Sequence, residues 1–184
     1  LTLVVNWGDG SAPQSFPYAA GTASFSETHQ YLDDNPTVTP SDPYTVGLTL
    51  TDDNVGGPEG VATASKVTTV NNVAPQLQAV TATQVIGTGG QVALAGNIVD
   101  PGTRDTFTLN VNWGDGSPVE QFLYAAGTTA FSETHQYTEG DYTIGLSLAD
   151  DDTGTASANV NVRVAFSNVT PQMSVRYVRT SYDR

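Results

Sequence analysis

Apolar and polar positions alternate along much of the second half of the chain. Phe107, Leu109, Val111 and Trp113 alternate with Thr108, Asn110 and Asn112, the two-residue period of a strand that buries one face. Tyr142, Ile144, Leu146 and Leu148 alternate with Thr143, Gly145 and Ser147, and Ala156, Ala158, Val160, Val162 and Val164 with Ser157, Asn159, Asn161 and Arg163. Val92, Leu94 and Ile98 mark a further strand, closed by the turn signal Asp100-Pro101-Gly102. Together these patterns predict strands near 77–85, 91–99, 106–113, 118–124, 129–137, 141–149 and 155–165. Each fully buried aliphatic or aromatic side chain contributes roughly 1.5–3 kcal/mol. One buried face per strand, spaced by turns, specifies two sheets packed face to face, so the fold expected is all-β and immunoglobulin-like.

The same pattern occurs twice. Val5-Asn6-Trp7-Gly8-Asp9-Gly10-Ser11 returns at Val111–Ser117, and 20 of the 27 positions in 5–31 are identical in 111–137. A chain that repeats itself is built from units, and a side chain present once per unit is expected to shape the unit. The first repeat shows Leu3, Val5 and Trp7, then Phe25 to Tyr31, then Tyr44, Val46, Leu48 and Leu50. Its last strand, within Val61–Val70, alternates less cleanly. After Tyr31 the offset drops from 106 to 98, because Leu32–Pro43 is eight residues longer than Thr138–Asp141. That Asp-, Asn- and Pro-rich insertion is expected to be an exposed loop. Asn72-Val73-Ala74-Pro75 and Asn168-Val169-Thr170-Pro171 close the two repeats in parallel ways.

The expected organisation is a repeat over 1–75 without its two N-terminal strands, a complete one over 76–171, and a basic tail over 172–184. Leu1 aligns with Phe107, so nothing in the first repeat corresponds to residues 76–106, while Pro171-Gln172-Met173 echoes Pro75-Gln76-Leu77. An excerpt from a longer array explains this most simply. The sharper reading is head-to-tail self-assembly, with the tail of one molecule adding a strand to the next. Arg176, Arg179 and Arg184 against Asp183 make the tail positive, whereas the whole chain carries −13.

That acidity, from 6 Lys+Arg against 19 Asp+Glu, argues against nucleic acid and anionic membrane surfaces as partners. With no cysteine, disulfides, thiolate metal sites and cysteine nucleophiles drop out together. No apolar run approaches the ~20 residues needed to span a bilayer. Little lysine with much Thr, Gly, Asp and Asn matches a secreted or surface protein of a bacterium or archaeon.

Trp113-Gly114-Asp115-Gly116-Ser117, then His135-Gln136-Tyr137, Gly140-Asp141-Tyr142-Thr143-Ile144-Gly145-Leu146-Ser147-Leu148 and Asp150-Asp151 resemble the polycystic-kidney-disease-type (PKD) domain. In the first repeat the matching residues are Trp7 to Ser11, His29-Gln30-Tyr31, Tyr44 to Leu50 and Asp52-Asp53. Two departures stand out: Val-Asn-Trp precedes Gly-Asp-Gly where the family has Asp-Phe, and Pro43 replaces the glycine before Tyr44. The resemblance implies tandem Ig-like sandwiches in an extracellular or cell-surface protein, acting as spacer, adhesion or contact modules.

Few residues invite a chemical reading. Gly-Asp-Gly-Ser reads as a turn, with Gly116 at positive φ and Asp115 or Ser117 bonding the turn's own backbone. No nucleophile elbow accompanies it. His29 and His135, one per repeat, are expected to orient or pack, since no nucleophile stands beside them. Glu27 and Glu133 precede them by two residues, on the same strand face, and suggest an ion pair. Asp52-Asp53-Asn54 and Asp150-Asp151-Asp152 concentrate oxygen ligands after a strand, which is what calcium requires. Their neighbours Asp100, Asp105, Asn71 and Asn72 are further candidates; the alternative is a solvated acidic loop. Tyr18 and Tyr124, with Phe16 and Phe122 two residues earlier, are candidate binding residues of an aromatic strip, or else part of the core. Asn168-Val169-Thr170 matches an N-glycosylation acceptor by pattern.

The expected function is therefore non-enzymatic. Repeats hold distance and offer contact surfaces to other protein modules or to further copies, with calcium or packing at the Val73–Gln76 joint stiffening the array. The alternative is an accessory module that binds polysaccharide or insoluble protein for a neighbouring hydrolase.

Overall fold

The computed structural model of the protein describes residues 1–35, 37–52, 60–87 and 90–166. The basic tail, Asp53 and Asn168-Val169-Thr170 lie outside the described residues. Twelve described strands follow one another: β1 (Thr2–Asn6), β2 (Gln14–Pro17), β3 (Ser41–Thr51), β4 (Val61–Asn71), β5 (Gln76–Ala82), β6 (Val85–Gly87), β7 (Gln91–Val99), β8 (Phe107–Asn112), β9 (Glu120–Tyr124), β10 (Ala130–Gln136), β11 (Gly140–Asp150) and β12 (Thr155–Phe166).

In the second repeat two sheets, ordered β10-β7-β5 and β6-β12-β11-β8-β9, close on one core. Fourteen apolar residues are buried there, and they are the ones the alternation selects: Val92, Leu94 and Ile98 from β7, Phe107, Leu109 and Val111 from β8, Ile144, Leu146 and Leu148 from β11, Val162 and Val164 from β12. Trp113, immediately after β8, is wholly buried. The repeat is an immunoglobulin-like β-sandwich.

One boundary differs from the sequence expectation. Residues 77–85 do not form one strand; β5 pairs antiparallel with β7, and after a break at Thr83-Gln84 the chain crosses to the other sheet, where β6 runs parallel to β12. Gln84 makes the crossing. Its side-chain carbonyl accepts from Arg163 N at 2.7 Å, and its amide donates to Asn161 O at 3.2 Å. The first strand thereby closes an edge on both sheets, which the alternation alone does not reveal.

The first repeat forms one sheet, β2-β1-β3-β4. Leu3, Val5 and Trp7 are buried, yet Val46, Leu48 and Leu50 are only partly covered, whereas their counterparts Ile144, Leu146 and Leu148 are sealed. The difference lies in the opposing layer: among the described residues no second sheet lies across β1 and β3 as β10-β7-β5 lies across β8 and β11. For the same reason Phe25–Tyr31, expected as a strand, is not one. Its counterpart β10 pairs with β7 over seven positions, Ala130↔Asn97 to Gln136↔Gln91, and without such a partner the backbone has no ladder to join.

Register explains the weak alternation of β4. Val46 faces Lys66 and Tyr44 faces Thr68, where Ile144 faces Val160 and Tyr142 faces Val162. Directly paired residues share a sheet face, so β4 carries polar groups on the face that β12 buries.

The Trp-Gly-Asp-Gly turn packs against β11. Gly114 has φ +78°, and a Cβ there would lie 2.2 Å from the backbone oxygen of Thr143. Gly116 also has positive φ, +88°, with nothing within 4 Å. Gly116→Ala is expected to cost only the left-handed backbone term, about 1–2 kcal/mol. Gly114→Ala adds a backbone clash and is expected to cost about 3 kcal/mol or more. Urea unfolding of the two variants measures the gap; equal losses would contradict a close turn–strand approach.

Candidate functional site

The motif residues of each repeat build a clamp at the turn after β1 and after β8. The His135 ring stacks on Trp113 with centroids 4.6 Å apart and planes 8° from parallel, and its Nε2 lies 2.8 Å from Asp115 Oδ2. The Tyr137 ring meets His135 edge-on, and its hydroxyl donates to Trp113 O at 2.7 Å. Asp115 Oδ1 accepts from Ser117 N at 3.0 Å. The first repeat reproduces each contact: His29 stacks on Trp7 at 4.7 Å, approaches Asp9 to 2.7 Å, and Tyr31 donates to Trp7 O at 2.7 Å. Both histidines thus hold a turn, and their carboxylate partner is the turn aspartate rather than the glutamate two residues earlier. Glu133 instead accepts from Tyr124 Oη at 2.7 Å, and Glu27 accepts from Tyr18 Oη.

That places the two candidate binding tyrosines. Tyr124 and Phe122 are half-buried and pack against the main core, as Tyr18 and Phe16 do against the smaller one. The outward residue of β9 is Leu123, 75% exposed.

The carboxylates gather elsewhere, where the two repeats meet. Oxygens of Asp33, Asp100 and Asp105 lie within 4.8 Å of one another, as do oxygens of Asp105, Asp151 and Asp152. Asp151 and Asp152 belong to the expected set, and Asp100 and Asp105 were the expected neighbours. Asp150 stands behind them: its Oδ1 accepts from the N–H groups of Asp152 and Gly154 at 3.0 and 2.6 Å, and its Oδ2 from Asn72 Nδ2 at 2.9 Å. Asp52 belongs to neither group; its N–H donates to Gly60 O.

The insertion Leu32–Pro43 departs from the expected exposed loop. Leu32 and Val38 are exposed, but Asp33 and Asp34 are buried, 7% and 6% exposed, and Ser41–Pro43 already belong to β3. The N–H groups of Thr37, Val38 and Thr39 converge on Asp152 Oδ1 at 2.8, 2.6 and 3.2 Å. Val38 takes φ +69° to do so, an unfavourable conformation for a β-branched residue. Asp33 Oδ1 accepts from Val73 N at 2.8 Å and from Asp34 N at 2.9 Å. The length mismatch between Leu32–Pro43 and Thr138–Asp141 was the available signal for Asp33 and Asp34; nothing in the sequence says that Asp33 faces Asp100 and Asp105, or that Asp34 lies near Asp152.

Crowding shows in the acidities. Burial and then the charges of Asp152 and Asp33 raise Asp34 to about 6. Burial also raises Asp100 to about 6, although the Gly102 N–H pulls the other way. Asp105 is pushed well up by burial and by the facing carboxylate of Asp33. A cavity of about 340 Å³, lined by Asp33, Tyr44, Gly102, Arg104 and Asp105 among others, opens at this junction.

No family model matches the sequence, and no curated protein does. Among solved structures, the chain is similar to the FN1–FN3 domains of chicken CNTN1, at 8% identity and a TM-score of 0.36, over 88% of this chain and 55% of that one. It is also similar to extracellular domains d3–d4 of rat CD45, at 15% identity and a TM-score of 0.35, over 85% of this chain and 94% of that one. The chain thus spans about 55% of the CNTN1 fragment. No helix among the described residues is long and apolar enough to cross a membrane.

The clamp makes a prediction in acid. Burial raises Asp115, but hydrogen bonds from Ser117 and His135 outweigh it and hold the carboxyl at about 2, below its ordinary 3.8. Asp9, bonded by Ser11 and His29 against the same effect of burial, is also at about 2. A lowered folded-state pKa stabilises the fold above the unfolded value, and that contribution disappears as pH falls from 3.8 through about 2. Asp115→Asn is therefore expected to lower stability at neutral pH and to flatten its decline across that acid window. Thermal melts from pH 7 to 2 measure both.

Proposed function

We propose that the chain is a structural and adhesive repeat module of an extracellular or cell-surface protein, of the PKD type that its motifs resemble. It acts as a spacer and a protein–protein contact surface. One observation carries this reading: the junction is built, not left as a loose linker. Three backbone N–H groups of the first repeat converge on Asp152, Asn72 donates to Asp150 and to Asp152 O, and Val73 donates to Asp33. A spacer needs its units held at a defined angle, and backbone donors locked on a buried carboxylate supply that constraint.

The motif residues support the same reading. One histidine, one tyrosine and one aspartate of each repeat, His29, Tyr31 and Asp9 and their counterparts His135, Tyr137 and Asp115, are taken up in the clamp, where they orient a turn. Contact surface is available on the first repeat, whose apolar positions Val46, Leu48 and Leu50 are only half-covered. Self-association, where it occurs, would use that sheet, by addition of strands from a second copy in head-to-tail order.

Sedimentation velocity across a hundredfold concentration range and retention on insoluble cellulose and chitin test the reading together. A spacer is expected to pass through both glycans unretained. Retention that vanishes in Tyr124→Ala would replace the spacer with a polysaccharide-binding accessory module. Mass that grows with concentration assigns the contact surface to self-association; constant mass removes self-association from the reading.

A further inference from the structure

Seven oxygen atoms at the junction are buried and lack any hydrogen-bond partner: one each from Asp33, Asn72, Asp100, Asp105 and Asp152, and both from Asp34. Asp105 is 1% exposed and Asp152 is 0% exposed. An unpaired buried carboxylate costs several kcal/mol, so side chains of this kind are normally paired with a cation or coordinate a metal. Here they face one another. Two oxygens on one calcium ion, each at 2.3–2.6 Å, stand no more than about 5 Å apart. The groups Asp33/Asp100/Asp105 and Asp105/Asp151/Asp152 meet that limit at 4.8 Å and share Asp105.

We infer that the junction is a calcium site, centred on Asp105 and assembled from both repeats, whose occupation locks them together. Donor chemistry selects the ion. The ligands are all oxygen, with neither imidazole nor thiolate in either group, which excludes a typical zinc set. Oxygen ligands separated by up to 4.8 Å fit the longer bonds of calcium, about 2.3–2.6 Å, better than the roughly 2.0–2.1 Å of magnesium. The space is shaped for close approach: a Cβ on Gly102 would lie 2.1 Å from Asp105 Oδ2 and 2.3 Å from Asp33 Oδ2. Other carboxylate oxygens are already occupied in ways that aim the free ones inward. Asp152 Oδ1 is held by Thr37–Thr39, Asp33 Oδ1 by Val73, and Asp100 Oδ1 by Gly102 N at 2.8 Å. In each case the unpartnered atom is the second oxygen of the same carboxylate.

The ligands come from different parts of the chain. Asp33 lies in the insertion of the first repeat, Asp100 and Asp105 between β7 and β8, and Asp151 and Asp152 between β11 and β12. Asp100, Asp105, Asp151 and Asp152 all belong to the second repeat, so the lock rests on Asp33, which joins Asp100 and Asp105 only when the repeats are docked. The locking role rests on the spacer reading, whereas the binding does not, and the experiment separates them.

Calcium chloride is titrated into the whole chain, after treatment with chelator, by calorimetry and by thermal melting. The wild-type chain is expected to bind calcium and to melt roughly 5–10 °C higher at a hundredfold excess over Kd. Magnesium chloride at equal concentration is expected to give less than half that shift. Asp105→Asn and Asp33→Asn are expected to weaken binding at least tenfold, while Asp52→Asn leaves it unchanged. Asp105→Asn removes charge from a crowded site and so folds without the ion. Absence of both heat and melting shift in the wild type overturns the site. Binding that survives in both Asp105→Asn and Asp33→Asn overturns its placement. Small-angle scattering with and without calcium then addresses the lock: a narrower distribution of dimensions with calcium supports it. Binding without that narrowing overturns the lock alone and leaves the spacer reading to its own test.

Discussion

A β-sheet with an apolar face must have that face covered, and this requirement organises the whole chain. In the second repeat β5, β7 and β10 lie across β8, β11 and β12, and fourteen apolar residues disappear from solvent. The first repeat carries the same apolar residues on β1 and β3 without a described opposing sheet. Its main buried cluster shrinks to Leu3, Val5 and Trp7, with Val46, Leu48 and Leu50 half-covered. Near-identical segments thus sit in different environments, and the cause lies in what stands opposite them.

Where covering is absent, other features adjust. Phe25–Tyr31 keeps the clamp contacts of its counterpart, since His29 still stacks on Trp7 and Tyr31 still bonds Trp7 O, but Phe25 is 48% exposed where Phe131 is buried. It also lacks the ladder, because no described strand lies beside it to pair with. The clamp is therefore independent of the second sheet. It is held by ring stacking, one carboxylate and one hydroxyl, all within a span of 24 residues, and so appears in both repeats. On β4, Lys66 and Thr68 replace the valines of β12, giving that face a polar border.

At the junction the balance is electrostatic. Backbone N–H groups compensate one oxygen of a carboxylate, while the second oxygen of several is left facing its neighbours. Raised pKa values at Asp34, Asp100 and Asp105 express the same crowding: a carboxyl taken out of water beside like charges holds its proton more tightly. The positive φ of Val38 shows that backbone strain is tolerated to bring three donors to Asp152.

The sequence alone determined what depends on near neighbours. Two-residue alternation reports which face of a strand is buried, so the strands of the second repeat, its core and the Trp-Gly-Asp-Gly turn were readable directly. Asp151 and Asp152 were readable as oxygen-rich, and Asp100 and Asp105 as companions. Tertiary structure decided the rest. Whether Phe25–Tyr31 joins a sheet depends on a partner strand, and the transfer of Val85–Gly87 to the opposite sheet depends on Gln84 reaching β12. That the Thr37–Thr39 amides meet a loop 113 to 115 residues further on, and Asp33 meets Asp100 and Asp105, is written in no local pattern. Periodicity encodes a face; only the packing of one repeat against the next brings distant charges to one point.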